Sequence, residues 1–117
     1  MRILHASFLV SDLGASMRFY EGALGLEAMA RPDLGYPGAW YRLEGDQQLH
    51  LMQLPGNGEA ATGHGGRDRH VALAVDDLDA LVERFARANI PHTSSRSGRR
   101  AVFCRDPDGN ALEFVQP

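Results

Sequence analysis

Apolar and polar positions along this chain follow two rhythms, and the same order of rhythms occurs twice. Residues 3–11 are mostly apolar, with β-branched and aromatic members, and predict a buried strand. Leu13, Met17, Tyr20 and Leu24 then recur at helical spacing. A helix is expected over about 13–23, capped by Ser11 or Asp12 and ended by Gly25. Residues 26–31 read as a strand, 32–38 as a loop rich in Pro and Gly, and 39–43 and 48–54 as strands around a turn at Gly45-Asp46. Residues 55–68 hold five glycines and little apolar bulk, which predicts a linker or mobile loop. The rhythm then restarts: a strand over 69–75, and a helix capped by Asp76 or Asp77 with Leu78, Leu81, Val82, Phe85 and Ala86 on one face. The helix ends near Asn89 with Pro91 as a stop, and strands follow over 92–96, 100–105 and 110–116. Each half is strand, helix, strand, strand, strand.

The halves align residue by residue. His5-Ala6-Ser7-Phe8-Leu9-Val10-Ser11-Asp12-Leu13 matches His70-Val71-Ala72-Leu73-Ala74-Val75-Asp76-Asp77-Leu78 at an offset of 65, without a gap. Gln47-Gln48-Leu49-His50-Leu51 matches Asn110-Ala111-Leu112-Glu113-Phe114 at an offset of 63. The expectation is an α+β fold in a single domain, residues 1–117, built from two tandem βαβββ units (about 1–54 and 69–117). They would form a curved mixed sheet with the helices outside.

The repeat changes the meaning of one odd residue. Asp106-Pro107-Asp108-Gly109 supplies turn chemistry ahead of the last strand, whose middle carries a carboxylate between Leu112 and Phe114. Glu113 therefore faces away from those two, and its internal counterpart is His50. By the same alternation His5 shares a face with Ser7 and Leu9, and His70 with Ala72 and Ala74. Ala6, Phe8 and Val10, and likewise Val71, Leu73 and Val75, are left to lie under the helices. A strand histidine by itself is ordinarily a satisfied, partly buried residue. Four such residues at repeat-equivalent places point instead to one cup with three imidazoles and one carboxylate. That set suits a divalent Zn, Ni, Fe(II), Co or Mn, whereas Ca or Mg would call for oxygen ligands. Ser7 and Met52 share the faces of these residues and are candidate substrate contacts. Trp40 and Arg100 are candidates too, although aromatic core packing is the default for Trp40 or Tyr41, and a solvated hairpin the default for Arg96, Arg99 and Arg100. His64 is expected to be solvated, with a role as a mobile proton carrier as the alternative. Cys104 has the parity of the core side and is expected to be inert.

Composition narrows the partners. A formal charge of −3 argues against a nucleic-acid binder. All twelve basic residues are Arg, so no lysine is available for Schiff-base chemistry. One cysteine fits a reducing compartment. The start lacks the apolar core of a signal peptide, and no apolar run reaches transmembrane length. A cytoplasmic protein with a small-molecule substrate is expected.

The run His5-x-x-Phe8-x-Val10-x-Asp12-Leu13, with Phe19-Tyr20-x-x-x-Leu24-Gly25-Leu26, resembles the opening of the vicinal oxygen chelate superfamily. Phe103-x-x-Asp106-Pro107-Asp108-Gly109-Asn110-x-x-Glu113 resembles its closing motif. That superfamily includes glyoxalase I, extradiol dioxygenases, fosfomycin-resistance enzymes, methylmalonyl-CoA epimerase and bleomycin-binding proteins. The resemblance implies His5, His70 and Glu113 as metal ligands, with His50 at the place where glyoxalase I and the epimerase have Glu or Gln. It also implies a homodimer, in which the two halves of a site can come from one chain or two. The segment Pro37-Gly38-Ala39-Trp40-Tyr41 followed by Leu49-His50-Leu51 resembles the short glyoxalase-like proteins of bacteria and plants. The expected function is a metal-dependent, glyoxalase I-like lyase or isomerase working through an enediolate, with Glu113 or His50 as the base. His50 would either ligate or take the proton, since a metal-bound imidazole has no free lone pair. The alternatives are an Fe(II) extradiol-type dioxygenase and a non-catalytic protein that binds a small ligand or antibiotic.

Overall fold

The computed structural model of the chain describes residues 1–56 and 60–117. Asn57, Gly58 and Glu59, within the expected linker, lie outside the described residues. The chain divides into two units, Met1–Glu59 and Ala60–Pro117. The first contains β1 (His5–Val10), α1 (Leu13–Met17), β2 (Glu27–Met29), β3 (Gly38–Arg42) and β4 (Gln48–Gln53). The second contains β5 (His70–Ala74), α2 (Leu78–Arg87), β6 (His92–Ser94), β7 (Ala101–Arg105) and β8 (Ala111–Val115). Each unit folds its own four-stranded mixed sheet, in the orders β1-β4-β3-β2 and β5-β8-β7-β6. In each, first and last strands run parallel and the remaining pairs are antiparallel. The α+β class and the tandem βαβββ order therefore stand as expected.

The strand registers repeat as the sequence does. Ser7 lies opposite His50, and Ala72 opposite Glu113. Trp40 lies opposite His50, and Phe103 opposite Glu113. The helix starts repeat as well. Asp12 and Asp77 cap the two helices by accepting from the N–H groups of Ala15 and Ala80. The first helical N–H in each, of Leu13 and of Leu78, donates to a glutamine at the end of the unit's last strand, Gln53 or Gln116. These amide oxygens satisfy donors that a helix end leaves open, and they tie each helix to its own sheet.

One element departs from expectation. The helix expected over 13–23 is α-helical only through Met17, and Arg18–Ala23 forms a wider π-helical turn. The N–H of Leu24 bonds to the carbonyl of Phe19, and Gly25 closes the segment at φ +72°. The wider turn buries two successive aromatic residues, Phe19 and Tyr20, which a narrow amphipathic stripe would not. Tyr20 packs against Tyr41 at 6.0 Å and Phe8 at 6.5 Å, and Phe19 meets its edge at 5.0 Å. In α2, Leu78, Leu81 and Phe85 are buried as expected, but Ala86 is exposed. Phe85 meets Phe114 at 5.6 Å. Cys104 is buried in the second core, and desolvation pushes its thiol up to about 12, leaving it protonated and inert at neutral pH.

Residues 60–68 of the expected linker pack onto the second unit. Arg105 donates to the carbonyls of Gly63 and Thr62, to that of Gly109, and to the carboxylate of Asp68. One guanidinium thus supplies backbone carbonyls of a Gly-rich stretch with the partners that they lack in regular structure. Among the described residues no helix is long and apolar enough to cross a membrane.

Candidate functional site

Glu113 is the most unusual side chain in the fold: a carboxylate 2% exposed on an interior strand. Its environment follows from the register. β8 places it opposite Phe103 of β7 and Ala72 of β5, and the helix-side positions Leu112 and Phe114 take up the core. Its Oε2 lies 3.4 Å from Nε2 of His70, and its Oε1 accepts from Nη2 of Arg99 at 3.2 Å. His70 is oriented by its own backbone. A carbonyl can only accept, so Nδ1 carries the proton that bonds to Asp68 O at 2.8 Å. In the neutral ring, Nε2 then turns a lone pair toward a carboxylate oxygen. Two acceptors in that arrangement repel unless a proton or a cation lies between them.

The corresponding place in the first unit holds three stacked rings. His50 lies between His5 (centroids 4.3 Å apart, planes 13° apart) and Trp40 (4.3 Å, 5°). Tyr41 goes into the core and Trp40 to the His50 face, as strand alternation requires. Gln48 Oε1 accepts from Nε2 of His50 at 2.8 Å, which leaves Nδ1 with the lone pair. Burial first, then the neighbouring His5 and Arg31 charges, hold the His50 imidazole below its ordinary value. Its depressed pKa favours the neutral ring, so the associated stability is present above the unfolded value of about 6.5 and lost as pH falls through the folded one. Trp40 is the only tryptophan of the chain. Its fluorescence is expected to be quenched on acidification with a midpoint below that of a free histidine, and a His50→Gln variant is expected to abolish the step. A midpoint at or above the free value would contradict the stacked, desolvated ring. Ser7, opposite His50, and Met52, opposite Gly38, lie on the same faces of β1 and β4.

Other arginines are distributed differently from the sequence expectation. Arg100 pairs with Asp79 at 2.7 Å, on the first turn of α2, and is not at Glu113. Arg99 takes that place. A cavity of about 400 Å³ in the second unit is lined by His64, His70, Arg96, Arg99, Phe103 and Glu113, among others. His64, expected to be solvated, is half-buried there, bonded to Thr93 and packed edge-on against Phe103. A second cavity of about 370 Å³ is more apolar and is lined by residues of the 60–65 stretch, β6 and β7, with Cys104 among them. In the first unit no sequence pattern marks Arg31. Its guanidinium lies over the Tyr36 ring at 4.9 Å, with buried Nε and Nη2 atoms that have no hydrogen-bond partner among the described residues. It also crosses Gly38, where an added Cβ would come within 2.8 Å of Nη2 and 2.4 Å of the Leu51 carbonyl.

Among the described residues, no three His, Cys, Asp or Glu side chains form a metal-sized cluster; each unit offers a pair. The chemistry of the pairs fits a divalent transition metal. His70 presents a lone pair beside a buried carboxylate, with its other nitrogen held by a carbonyl, the outer contact that fixes a ligating imidazole. His50 presents Nδ1 with its other nitrogen held by an amide oxygen.

Residues 2–114 match the sequence profile of the Glyoxalase/Bleomycin resistance protein/Dioxygenase superfamily, and the chain belongs to that superfamily. Within it, the chain is similar to the lactoylglutathione lyase of Haemophilus influenzae, at 30% identity over 99% of this chain and 93% of the relative. Among solved structures it is similar to the lactoylglutathione lyase of Agrobacterium tumefaciens, at 26% identity and a TM-score of 0.70 over 98% of this chain and 92% of that one. A Streptomyces antibiotic-binding protein shares the fold at 22% identity and a TM-score of 0.76, covering 100% of this chain and 96% of that one.

Proposed function

We propose that the protein is a divalent-metal-dependent lyase or isomerase of the glyoxalase I type, with His5, His50, His70 and Glu113 as the ligand set. The substrate would be a small molecule with two adjacent oxygens. The observation that carries this reading is Glu113: a carboxylate 2% exposed, faced by the Nε2 of a histidine whose other nitrogen is already engaged. The similarity to lactoylglutathione lyases supports the reaction class. When bound, the metal would polarise the adjacent substrate oxygens and offset the charge that develops on them as a proton moves. Glu113, or His50, would take that proton from the carbon that bears one of these oxygens, next to the carbonyl. Arg99 would neutralise a Glu113 oxygen not engaged elsewhere, and Trp40 would hold the His50 ring in its plane. Ser7 and Met52 would contact substrate; Arg100, engaged with Asp79, is replaced in this role by Arg99. The two donor pairs would come from one chain or from the two chains of a homodimer.

The test is metal analysis of protein purified without a His-containing tag, together with turnover of the methylglyoxal–glutathione hemithioacetal. Bound metal near one per ligand set, and turnover with Zn, Ni, Co or Mn, are the expected results. Failure of all four metals would sink the lyase reading. Oxygen uptake with catechols after anaerobic iron loading would favour a dioxygenase instead. Ligand binding that survives loss of His50 and His70 would favour a non-catalytic binding protein.

A further inference from the structure

We propose that His64 is a proton-transferring residue of the second unit's site; this rests on the lyase reading above. His64 has no counterpart in the repeat, so it stands outside the duplicated ligand set. Its place comes from the 60–68 stretch, which brings an imidazole into the cavity shared by His70 and Glu113. Phe103, directly opposite Glu113, has His64 edge-on at 5.0 Å and His70 edge-on at 5.2 Å. Gly66 makes room for the ring: an added Cβ there would lie 2.6 Å from Nε2 of His64.

The hydrogen-bond partners separate His64 from the other imidazoles. His70 is held by a carbonyl and His50 by an amide oxygen, and both partners can only accept. Each ring therefore has one nitrogen committed as a donor and one lone pair left for a metal. His64 Nδ1 bonds instead to the hydroxyl of Thr93, at 2.6 Å. A hydroxyl can donate or accept. His64 can therefore present either tautomer without giving up that bond, and with Nδ1–H donating to Thr93 its Nε2 holds the lone pair. Nor is the ring needed to hold its own loop, because Arg105 already bonds Thr62, Gly63 and Asp68.

The proposed step moves the carbon-bound proton to the neighbouring carbon and the hydroxyl proton from one oxygen to the other. His64 Nε2 takes the proton from the carbon next to the substrate carbonyl as the C–H pair forms a C=C bond and the carbonyl pair moves onto oxygen. The imidazolium then returns the proton to the neighbouring carbon, while the hydroxyl proton passes to the former carbonyl oxygen and the other oxygen becomes the carbonyl. Substrate and product are isomers, and no oxidant or reductant is required. This assignment puts His64 in place of Glu113 or His50 as the base and leaves both of those to ligate.

His64→Gln is expected to lower kcat on the methylglyoxal–glutathione hemithioacetal by about 10²-fold, the usual contribution of a positioned acid–base group. Metal content and unfolding midpoint are expected to stay at wild-type values. His64→Ala is expected to regain activity when imidazole is added, in proportion to its concentration, while wild type is not accelerated. Wild-type kcat in His64→Gln would overturn the proposal. So would loss of metal in step with activity, or a folded, metal-replete His64→Ala enzyme that imidazole does not rescue. An inactive metal-loaded wild type would overturn the lyase reading and this assignment with it, whereas an active wild type with an unaffected His64→Gln would overturn this assignment alone.

Discussion

Glu113→Gln is expected to abolish metal-dependent stabilisation and to lower kcat/KM by at least about 10³-fold, while leaving the metal-free protein within about 1 kcal/mol of wild type or more stable. The two halves of this prediction have one cause. Glu113 is 2% exposed, whereas the side chains of its partners His70 and Arg99 are 27% and 61% exposed. The desolvation cost of the ion pair therefore falls mainly on the carboxylate, and removing its charge leaves no buried cation behind. A neutral isostere is then expected to keep the metal-free fold within about 1 kcal/mol of wild type, or above it. With metal at about 100 times its Kd, the wild-type protein should gain roughly 2.7 kcal/mol. The variant should gain little, and stripping metal from wild type with a chelator should remove the same increment. Thermal unfolding with and without metal measures both quantities. A metal-free variant destabilised by more than about 2 kcal/mol would mean that the carboxylate serves the fold. An undiminished metal shift would remove Glu113 from the ligand set.

Glu113 shows what the sequence carries. A carboxylate in an apolar strand is ambiguous by itself. The offsets of 65 and 63 residues gave it a partner at His50, and the registers repeat that equivalence pair by pair, Ser7 with His50 and Ala72 with Glu113. Alternation along strands is a local, period-two rule, so it survives into three dimensions wherever the residues are in strands. It gave the faces of His5, His50, His70 and Glu113, and the opposed fates of Trp40 and Tyr41. It failed where the chain leaves the sheet. β6 ends at Ser94 and β7 begins at Ala101, so no parity links Arg99 and Arg100 to Glu113; long side chains on a turn go where a partner is. Arg99 found Glu113 and Arg100 found Asp79. The same holds for Arg105 and His64. A Gly-rich stretch reads as linker because glycine says nothing about contacts, and the residue that holds it lies some forty positions later. The π-helical turn was hidden for another reason: it preserves helical spacing on average while widening locally. The glutamines that cap both helices, Gln53 and Gln116, are a long-range repeat that becomes visible only when strand ends and helix starts are adjacent in space.

Asp106→Ala is expected to destabilise the metal-free protein by about 3 kcal/mol, and Asp106→Asn by less than about 1 kcal/mol. Asp106 opens the turn that delivers β8, and it is buried. Its Oδ1 accepts from the backbone N–H groups of Asp108 and Asn110, both at 2.9 Å, and its Oδ2 from the side-chain amide of Asn110 at 2.8 Å. Its backbone closes the same turn through Asn110 and Gly109. Gly109 sits at φ +83°, where an added Cβ would lie 2.6 Å from the Ala61 nitrogen, so the turn has little freedom to reshape. Truncation to Ala withdraws both acceptor oxygens from three donors in a crowded turn. Asparagine keeps Oδ1 for the two backbone donors, and a flip of the Asn110 amide lets its oxygen accept from the new NH₂ group. The contrast tests whether the turn depends on the geometry of the acceptor or on its charge. Equal losses in the two variants, read from denaturant unfolding of metal-free protein, would assign the effect to charge. Function is expected to follow the same order. Because the turn sets the pairing of Glu113 with Phe103, the fraction of Asp106→Ala that remains folded should bind metal more weakly than Asp106→Asn. Wild-type metal affinity in Asp106→Ala would show that β8 finds its register from its apolar face alone.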